Sequence, residues 1–293
     1  MRKQLVKTVQ SILATDDNVV LLLGDIGVWG FREAFKLYPE RVFNIGILEQ
    51  STISLSAGLS MSGLIPVVHT IAPFLVERAY EQLKDDFGYQ KLGGNFISVG
   101  ASYDYAALGC THHCPADVGI LSNIPGMEII LPSTAQEFDT LFKQTYTNGH
   151  PTYFRLSERQ NEQSYNIEFG KAHLVKQGKL ATVIAVGSML KPVLAACQDL
   201  DVTILYYTTV FPFDVEAVRQ NSQSGKIIVC EPYYSGVLAP KILEAVYPNS
   251  VVIKQIGVPR QFLTNYGKAE EHDKELGFTA ENIKQKVERL IAL

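Results

Sequence analysis

The stretch VVLLLGDIG (19–27) begins with an unbroken apolar run over residues 19–23, which is followed by a glycine and an acidic residue. Short runs of this kind are typical of a strand that is covered on both faces, as in a parallel sheet between layers of helices. The glycine permits a tight turn at the carboxyl end of that strand. This stretch therefore predicts an α/β fold with a mainly parallel sheet.

The same alternation of apolar runs and helical spacing extends in both directions from this strand. An amphipathic helix over residues 5–13 precedes it. The following helices are expected over 31–37, 49–60 and 73–82. The following strands are expected over 42–45, 65–70, 96–99, 128–131 and 152–156.

A polar stretch near residues 157–166 separates this series from a second one. The predicted organisation is a first α/β domain over 1–157, a linker over 158–170 and a second α/β domain over 171–293. Strands of the second domain are expected over 181–186, 202–207, 226–230 and 251–256. Its helices are expected over 190–199, 214–221 and 237–246, and from residue 279 or 280 onwards with Thr279 as the N-cap.

Composition excludes several functional classes. The chain has 293 residues, of which 46% are hydrophobic, and a formal net charge of −4. A general nucleic-acid binder normally carries a basic face, so we expect no nucleic-acid partner. No apolar stretch approaches the roughly 18 to 20 residues that cross a bilayer, so no membrane partner is expected. The 4 cysteines are too few for a disulfide scaffold, which indicates a reducing cytoplasm.

Two stretches could carry chemistry. Glu49 lies at a strand-to-helix junction, where ligands bind in doubly wound sheets, although it could simply complement the helix N-terminus. His112 and His113 lie between Cys110 and Cys114, a spacing too tight for a zinc centre. Acid–base catalysis or substrate hydrogen bonding suits imidazoles better, and one of the two could equally be a loop histidine without a catalytic role.

Taken together, several collinear motifs resemble the second half of the transketolase family, which includes deoxyxylulose-phosphate synthase. The motifs are LLLGD (21–25), RVFNIGILEQ (41–50), TIAPF (70–74), RAYEQ (78–82) and THH (111–113), followed by IPGM (124–127), AVGSM (185–189) and IGVP (256–259). The resemblance covers nearly the whole chain. It implies a pyrimidine-binding domain followed by the transketolase C-terminal domain.

The resemblance also implies roles for individual residues. In such enzymes the carboxyl group at the Glu49 position hydrogen-bonds N1′ of the aminopyrimidine of thiamine diphosphate and favours its imino form. Phe74 corresponds to the aromatic side chain that stacks on that ring. Asp25 corresponds to an acidic residue near the cofactor and the subunit contact. His112 corresponds to a histidine that touches the donor substrate, with His113 beside it.

One family motif is missing from the chain. The family binds the cofactor's diphosphate through a Gly-Asp-Gly motif with a downstream Asn, and a Mg²⁺ or Ca²⁺ ion is held there by oxygen ligands. This motif belongs to a separate N-terminal domain. The resemblance therefore implies a partner subunit that supplies the diphosphate and metal site, with no metal ligands in this chain, and an α2β2 heterotetramer.

The substrate is less closely defined. Leu108 replaces an acidic residue that in the family contacts a hydroxyl of the donor sugar, whereas Arg159 matches an arginine that binds the acceptor phosphate. As a residue of the linker, Arg159 could equally be a solvated charge. The expected activity is transfer of a two-carbon ketol unit between sugars or sugar phosphates.

Three alternatives remain open from the sequence. The chain could be the β-subunit of a 2-oxo-acid dehydrogenase, which shares the domain layout and the role of Glu49. It could belong to a deoxyxylulose-phosphate-type synthase that uses pyruvate. It could also be a non-catalytic interaction subunit, although retention of Glu49 and Phe74 argues against that.

Overall fold

The structure is a computed structural model that describes residues 1–293. Its strands are β1 (Val19–Leu23), β2 (Val42–Asn44), β3 (Ile65–Ile71), β4 (Gly94–Val99), β5 (Glu128–Ile130), β6 (Pro151–Arg155), β7 (His173–Lys176), β8 (Thr182–Val186), β9 (Thr203–Tyr207), β10 (Thr209–Phe211), β11 (Lys226–Tyr234) and β12 (Val252–Val258).

The helices surround these strands. They are α1 (Arg2–Leu13), α2 (Arg32–Leu37), α3 (Glu49–Met61), α4 (Ala72–Val76), α5 (Tyr80–Gln82), α6 (Asp117–Leu121), α7 (Ala135–Thr145), α8 (Leu190–Ala196), α9 (Val215–Asn221), α10 (Ala239–Val246), α11 (Ala269–Leu276) and α12 (Ala280–Ile291). A π-helical segment, Leu83–Tyr89, continues α5. None of the helices combines the length and the apolar character that crossing a membrane requires.

The strands form a 7-stranded sheet in the order β10-β5-β6-β4-β3-β1-β2 and a 5-stranded sheet in the order β12-β11-β8-β9-β7. Every pairing between these strands is parallel except those of β10 with β5 and of β7 with β9. The central strands β1, β4 and β8 are buried along their whole length, as their apolar runs predict. The predicted fold class, two mainly parallel sheets flanked by helices, is confirmed.

The two edge strands β7 and β10 were not predicted from sequence. β10 follows β9 of the second sheet in the chain but pairs with β5 of the first sheet, so the first sheet is completed by a strand from beyond the linker. The apolar core is shared as well, because one cluster of 41 buried residues contains both Leu21 of β1 and Ile204 of β9. The two sheets therefore pack as one body.

Two further expectations differ from the structure. The helix expected over 73–82 is broken into α4 and α5, and the break includes Arg78, whose guanidinium turns towards Glu49. The stretch expected to be a linker is anchored at Asn161, which is buried and whose side-chain amide donates to the Tyr206 hydroxyl at 3.1 Å. The side-chain amide of this polar residue is thus satisfied inside the protein.

The parallel arrangement of β1, β2, β3 and β4 determines where the candidate site lies. Because their carboxyl ends meet at one edge of the sheet, the segments that follow these strands converge there. Asp25 follows β1, Glu49 follows β2, Phe74 follows β3, and the loop with His112 follows β4.

Candidate functional site

Glu49 is the first residue of α3 and is buried, with 3% of its side chain exposed. Its Oε2 atom accepts a hydrogen bond from Arg78 Nη1 at 2.7 Å, whereas Oε1 accepts none. Burying a carboxylate is costly unless it is paired and hydrogen-bonded, and Arg78 supplies the pairing. Glu49 is therefore held in position with one oxygen left for a ligand.

Phe74 and His112 lie beside this ion pair. The Arg78 guanidinium stacks over the Phe74 ring at 4.3 Å, and the His112 ring meets the Phe74 ring edge-on at 5.3 Å. Thr111 Oγ1 lies 3.0 Å from His112 Nδ1. Both Phe74 and His112 are half-buried, so part of each ring remains exposed. The structure thus brings Glu49, Phe74 and His112 together, with Arg78 between them.

Asp25 belongs to the same edge of the sheet but forms no hydrogen bond with Glu49 in this structure. Its backbone is in the left-handed region (φ 65°), which is uncommon for a residue with a side chain. Asn44 stabilises this conformation, because its Oδ1 accepts from the Asp25 N–H at 2.9 Å and its amide donates to Asp25 Oδ1 at 3.2 Å. The same Asn44 Oδ1 accepts from the N–H of Gly46, three residues before Glu49, so one side chain organises both loops.

His113 has a different environment from His112. It is buried, and its ring meets the ring of His272 in α11 edge-on at 5.7 Å. Burial, followed by the neighbouring His272, lowers the pKa of His113, which favours the neutral imidazole. The Nε2 atom of His113 and both ring nitrogens of His272 have no hydrogen-bond partner in the protein.

Arg159 contacts Asp273 of α11, the residue that follows His272. Its guanidinium stacks over Tyr103 at 4.3 Å, and its Nη2 atom lies 3.3 Å from Asp273 Oδ1. The Tyr103 hydroxyl donates to the same Asp273 oxygen at 2.6 Å. Arg159 is therefore not a freely solvated linker charge, and it belongs to a cluster with α11 rather than to the Glu49 group.

These contacts define what the site could bind. A buried carboxylate with one free oxygen, next to a half-buried aromatic ring, suits a flat heterocycle with a hydrogen-bonding ring nitrogen, as the aminopyrimidine of thiamine diphosphate is. The chain contains no group of three or more His, Cys, Asp or Glu side chains arranged to hold a metal ion. Leu108, which the resemblance aligns with an acidic residue, is 52% exposed.

Several residues of the site had no role assigned from sequence. Arg78 lies four residues after Phe74, a spacing that places side chains on the same helical face, and this signal could have paired them. Tyr103, His272 and Asp273 gave no such signal, because α11 is distant in sequence from the loop that it covers.

Comparisons with known proteins agree with this architecture. Two family models match the chain, the transketolase pyrimidine binding domain over residues 1–163 and the transketolase C-terminal domain over residues 170–283. A Rhodococcoides fascians protein described as an uncharacterized 33.6 kDa protein in the fasciation locus is 34% identical over 284 residues, covering 96% of this chain and 91% of that protein. One subunit of the apulose-4-phosphate transketolase of Phocaeicola vulgatus is 30% identical over 295 residues, covering 96% of this chain and 94% of that subunit.

A solved structure supports the fold. It is described as a split gene transketolase in the form of an inactive beta4 tetramer, and it superposes with a TM-score of 0.87 at 24% identity over 100% of this chain and 98% of that one. The pyrimidine-binding model matches the part of the chain in which the first sheet begins, and the C-terminal model matches the part in which the second sheet begins. The chain therefore belongs to the transketolase family, of which it carries the pyrimidine-binding and C-terminal domains.

Proposed function

We propose that this chain is one subunit of a split, thiamine-diphosphate-dependent transketolase, which transfers a two-carbon ketol unit between sugars or sugar phosphates. The observation that carries the proposal is the buried Glu49 carboxylate, held on one oxygen by Arg78 and next to the half-buried Phe74 ring. A non-catalytic subunit would have no reason to bury a carboxylate with one oxygen left unpaired at the ligand-binding edge of the sheet.

Each residue at this edge has a proposed role towards the cofactor. Thiamine diphosphate, when bound, supplies the carbon nucleophile that carries the two-carbon unit. Glu49 would hold the proton shared with the pyrimidine nitrogen, and Arg78 would keep the carboxylate oriented. Phe74 would present the exposed part of its ring to the pyrimidine, and Asp25 would contribute a carboxylate near the subunit contact.

A partner subunit is part of the proposal because the surface around Glu49 is apolar and exposed. Ile47 is 65% exposed and Leu48 is 56% exposed, and α3 also exposes Leu55. Clustered exposed apolar side chains mark protein contact surfaces. We propose that the subunit with the diphosphate motif and its Mg²⁺ or Ca²⁺ ion covers this surface in an α2β2 assembly.

His112, His113 and Arg159 are the proposed substrate-binding residues. His112 lies directly beside Phe74 and is the candidate for catalytic contact with the donor sugar. Burial lowers the pKa of His113, which favours the neutral imidazole, and its Nε2 atom is unpartnered, which suits hydrogen bonding to a hydroxyl group.

The decisive experiment is a transfer assay with the assembled complex. The chain and its partner, with thiamine diphosphate and Mg²⁺, should convert xylulose 5-phosphate or its dephosphorylated form and an aldose into a new ketose. Absence of any new ketose across a broad panel of donors and acceptors would rule the proposal out. Calorimetry should show that thiamine diphosphate binds the complex and not the isolated chain.

The same preparation separates the alternatives. Release of carbon dioxide from pyruvate would indicate a deoxyxylulose-phosphate-type synthase. Reduction of a lipoyl acceptor by a 2-oxo acid would indicate a dehydrogenase β-subunit. We rank transketolase first because the chain carries Thr111-His112-His113, and His112 lies against Phe74.

A further inference from the structure

Helix α11 brings a carboxylate to Arg159, the arginine that we propose binds substrate. Asp273 lies 3.3 Å from Arg159 and accepts a hydrogen bond from Tyr103, whose ring stacks under the guanidinium at 4.3 Å. The side chains of Arg159 and Asp273 are 23% and 25% exposed, so water screens this pair only partly. Asp273 therefore compensates the charge of Arg159 inside the protein.

Within the Arg159–Asp273 pair, the carboxylate has a hydrogen-bond partner and the guanidinium Nη2 atom has none. Arg159 Nη2 has no hydrogen-bond partner, because its approach to Asp273 is an ion pair without donor–acceptor alignment. Asp273 Oδ1 is instead occupied by the Tyr103 hydroxyl. The charge of the guanidinium is thus compensated by a neighbour that leaves its N–H donors unused.

The surrounding cleft is also balanced in charge. Arg159, Asp273, Glu270 and Lys191 line a cleft of about 450 Å³ between the linker and helices α8, α11 and α12. Lys191 is paired with Glu162 at 3.0 Å. A phosphate site normally presents uncompensated positive charge, and this cleft presents none.

Unpartnered hydrogen-bonding groups continue from the cleft towards His113. The His272 ring meets Tyr103 edge-on at 5.2 Å and His113 at 5.7 Å, and its two buried nitrogens are unpartnered. An imidazole nitrogen can form a hydrogen bond with a hydroxyl group, or with a water that bridges to one.

We infer that Asp273 is a specificity-determining residue that makes the Arg159 end of the substrate site select an uncharged, hydroxyl-bearing sugar over a sugar phosphate. A phosphate dianion approaching Arg159 meets the Asp273 carboxylate at the guanidinium, and this like-charge contact opposes binding. A sugar hydroxyl carries no such penalty and can accept an Arg159 N–H. The inference rests on the proposed ketol transfer, whose substrates it narrows.

The test measures phosphate binding without turnover, so that its failure and failure of the proposed activity are distinguishable. Inorganic phosphate is titrated into the assembled complex at about pH 7.5 by calorimetry. We expect weak or no binding by the wild type and about tenfold tighter binding by the Asp273→Asn variant, which keeps the shape of the side chain but removes its charge. The double variant Arg159→Gln/Asp273→Asn should lose the gain.

Glu270→Gln is the matched control, because Glu270 lines the same cleft on the same helix but does not pair with Arg159. Should Asp273→Asn not fold, Asp273→Ser removes the same charge. In the transfer assay, Asp273→Asn should lower KM for ribose 5-phosphate relative to ribose by about tenfold, with a smaller effect on kcat. Wild-type phosphate binding as tight as that of Asp273→Asn would overturn the inference, as would an equal gain in Glu270→Gln.

Discussion

Two arginine–carboxylate pairs of the first domain have the same chemistry and opposite surroundings. Arg78 and Glu49 meet at 2.7 Å at the carboxyl edge of the sheet, where the Arg78 side chain is 39% exposed. Arg155 and Asp117 also meet at 2.7 Å, but their side chains are 2% and 0% exposed. In each pair the guanidinium also lies over an aromatic ring, of Phe74 at 4.3 Å or of Tyr233 at 5.8 Å.

The difference lies in how completely the two carboxylates are satisfied. Asp117 accepts from Arg155, from the Tyr153 hydroxyl at 2.9 Å and from the N–H of Val118 at 2.9 Å. Arg155 donates to Ser102 Oγ at 2.6 Å, and Ser102 donates in turn to the carbonyl of Pro232 in β11. Burial alone would lower the pKa of Arg155, but Asp117 outweighs it and the pKa rises above its usual value. The Arg155–Asp117 pair, the inner pair, joins the two sheets. The Arg78–Glu49 pair, the outer pair, keeps one carboxylate oxygen for a ligand.

The largest effect should come from breaking the inner pair. Asp117→Asn leaves the Arg155 charge buried without its counterion and should lower the free energy of unfolding by about 3–5 kcal/mol. Urea denaturation measures this change. Glu33→Gln, which breaks the exposed Glu33–Lys36 pair at 3.2 Å, is the control and should cost less than about 1 kcal/mol. Equal losses in both variants would show that burial does not separate the two kinds of pair.

Removing the outer carboxylate should affect chemistry instead of stability. Glu49→Gln keeps the shape of the side chain but cannot exchange the proton with the cofactor ring, so turnover of the complex should fall about a hundredfold or more. Initial rates of ketose formation measure the loss, and circular dichroism checks the fold. Glu81→Gln, an exposed carboxylate of α5, is the matched control. Unchanged turnover in Glu49→Gln would remove Glu49 from the mechanism.

A third buried carboxylate, Glu231, extends the comparison because no arginine pairs with it. It accepts from the N–H groups of Gly236 at 2.7 Å and Leu238 at 3.0 Å, yet burial raises its pKa from 4.5 to about 7. The folded state therefore holds this proton longer than the unfolded chain, so Glu231 lowers stability as pH rises from 4.5 to about 7.

The Glu231→Gln variant tests this sign. The variant lacks this titrating carboxyl group. Its free energy of unfolding relative to wild type should therefore rise by roughly 2–3 kcal/mol between pH 4.5 and about pH 7. Urea unfolding at several pH values measures the difference. A constant offset between wild type and variant at every pH would contradict the prediction.

The smallest effect is expected at Arg78. Arg78→Gln retains a donor but loses the charge and the stacking on Phe74, so the Glu49 carboxylate would be less well oriented. Turnover should fall about tenfold, and the free energy of unfolding should fall by roughly 1–3 kcal/mol, because the buried Glu49 carboxylate keeps a hydrogen-bond donor but loses its counterion. Steady-state rates and urea denaturation measure the two quantities. A stability loss as large as that of Asp117→Asn would show that the outer pair is also structural.

Local patterns in the sequence predicted much of the molecule. The apolar runs predicted nearly all the buried strands, because continuous apolar character is a local property of the chain. Thr279 was expected to begin the last helix, and its hydroxyl does accept from the Asn282 N–H at 3.4 Å. The RVFNIGILEQ and TIAPF motifs predicted that Glu49 and Phe74 would lie at one site, which the order of β1, β2 and β3 supports.

What the sequence by itself determined was the fold class, the family and the residues at the edge of the first sheet, because each depends on short-range patterns and collinear motifs. Tertiary structure alone decided that β10 joins the first sheet, that Arg78 pairs with Glu49, and that Asp273 of α11 compensates Arg159. Contacts between segments far apart in the chain leave no periodic signal in either segment, since they depend on how the packed sheets orient their loops and helices.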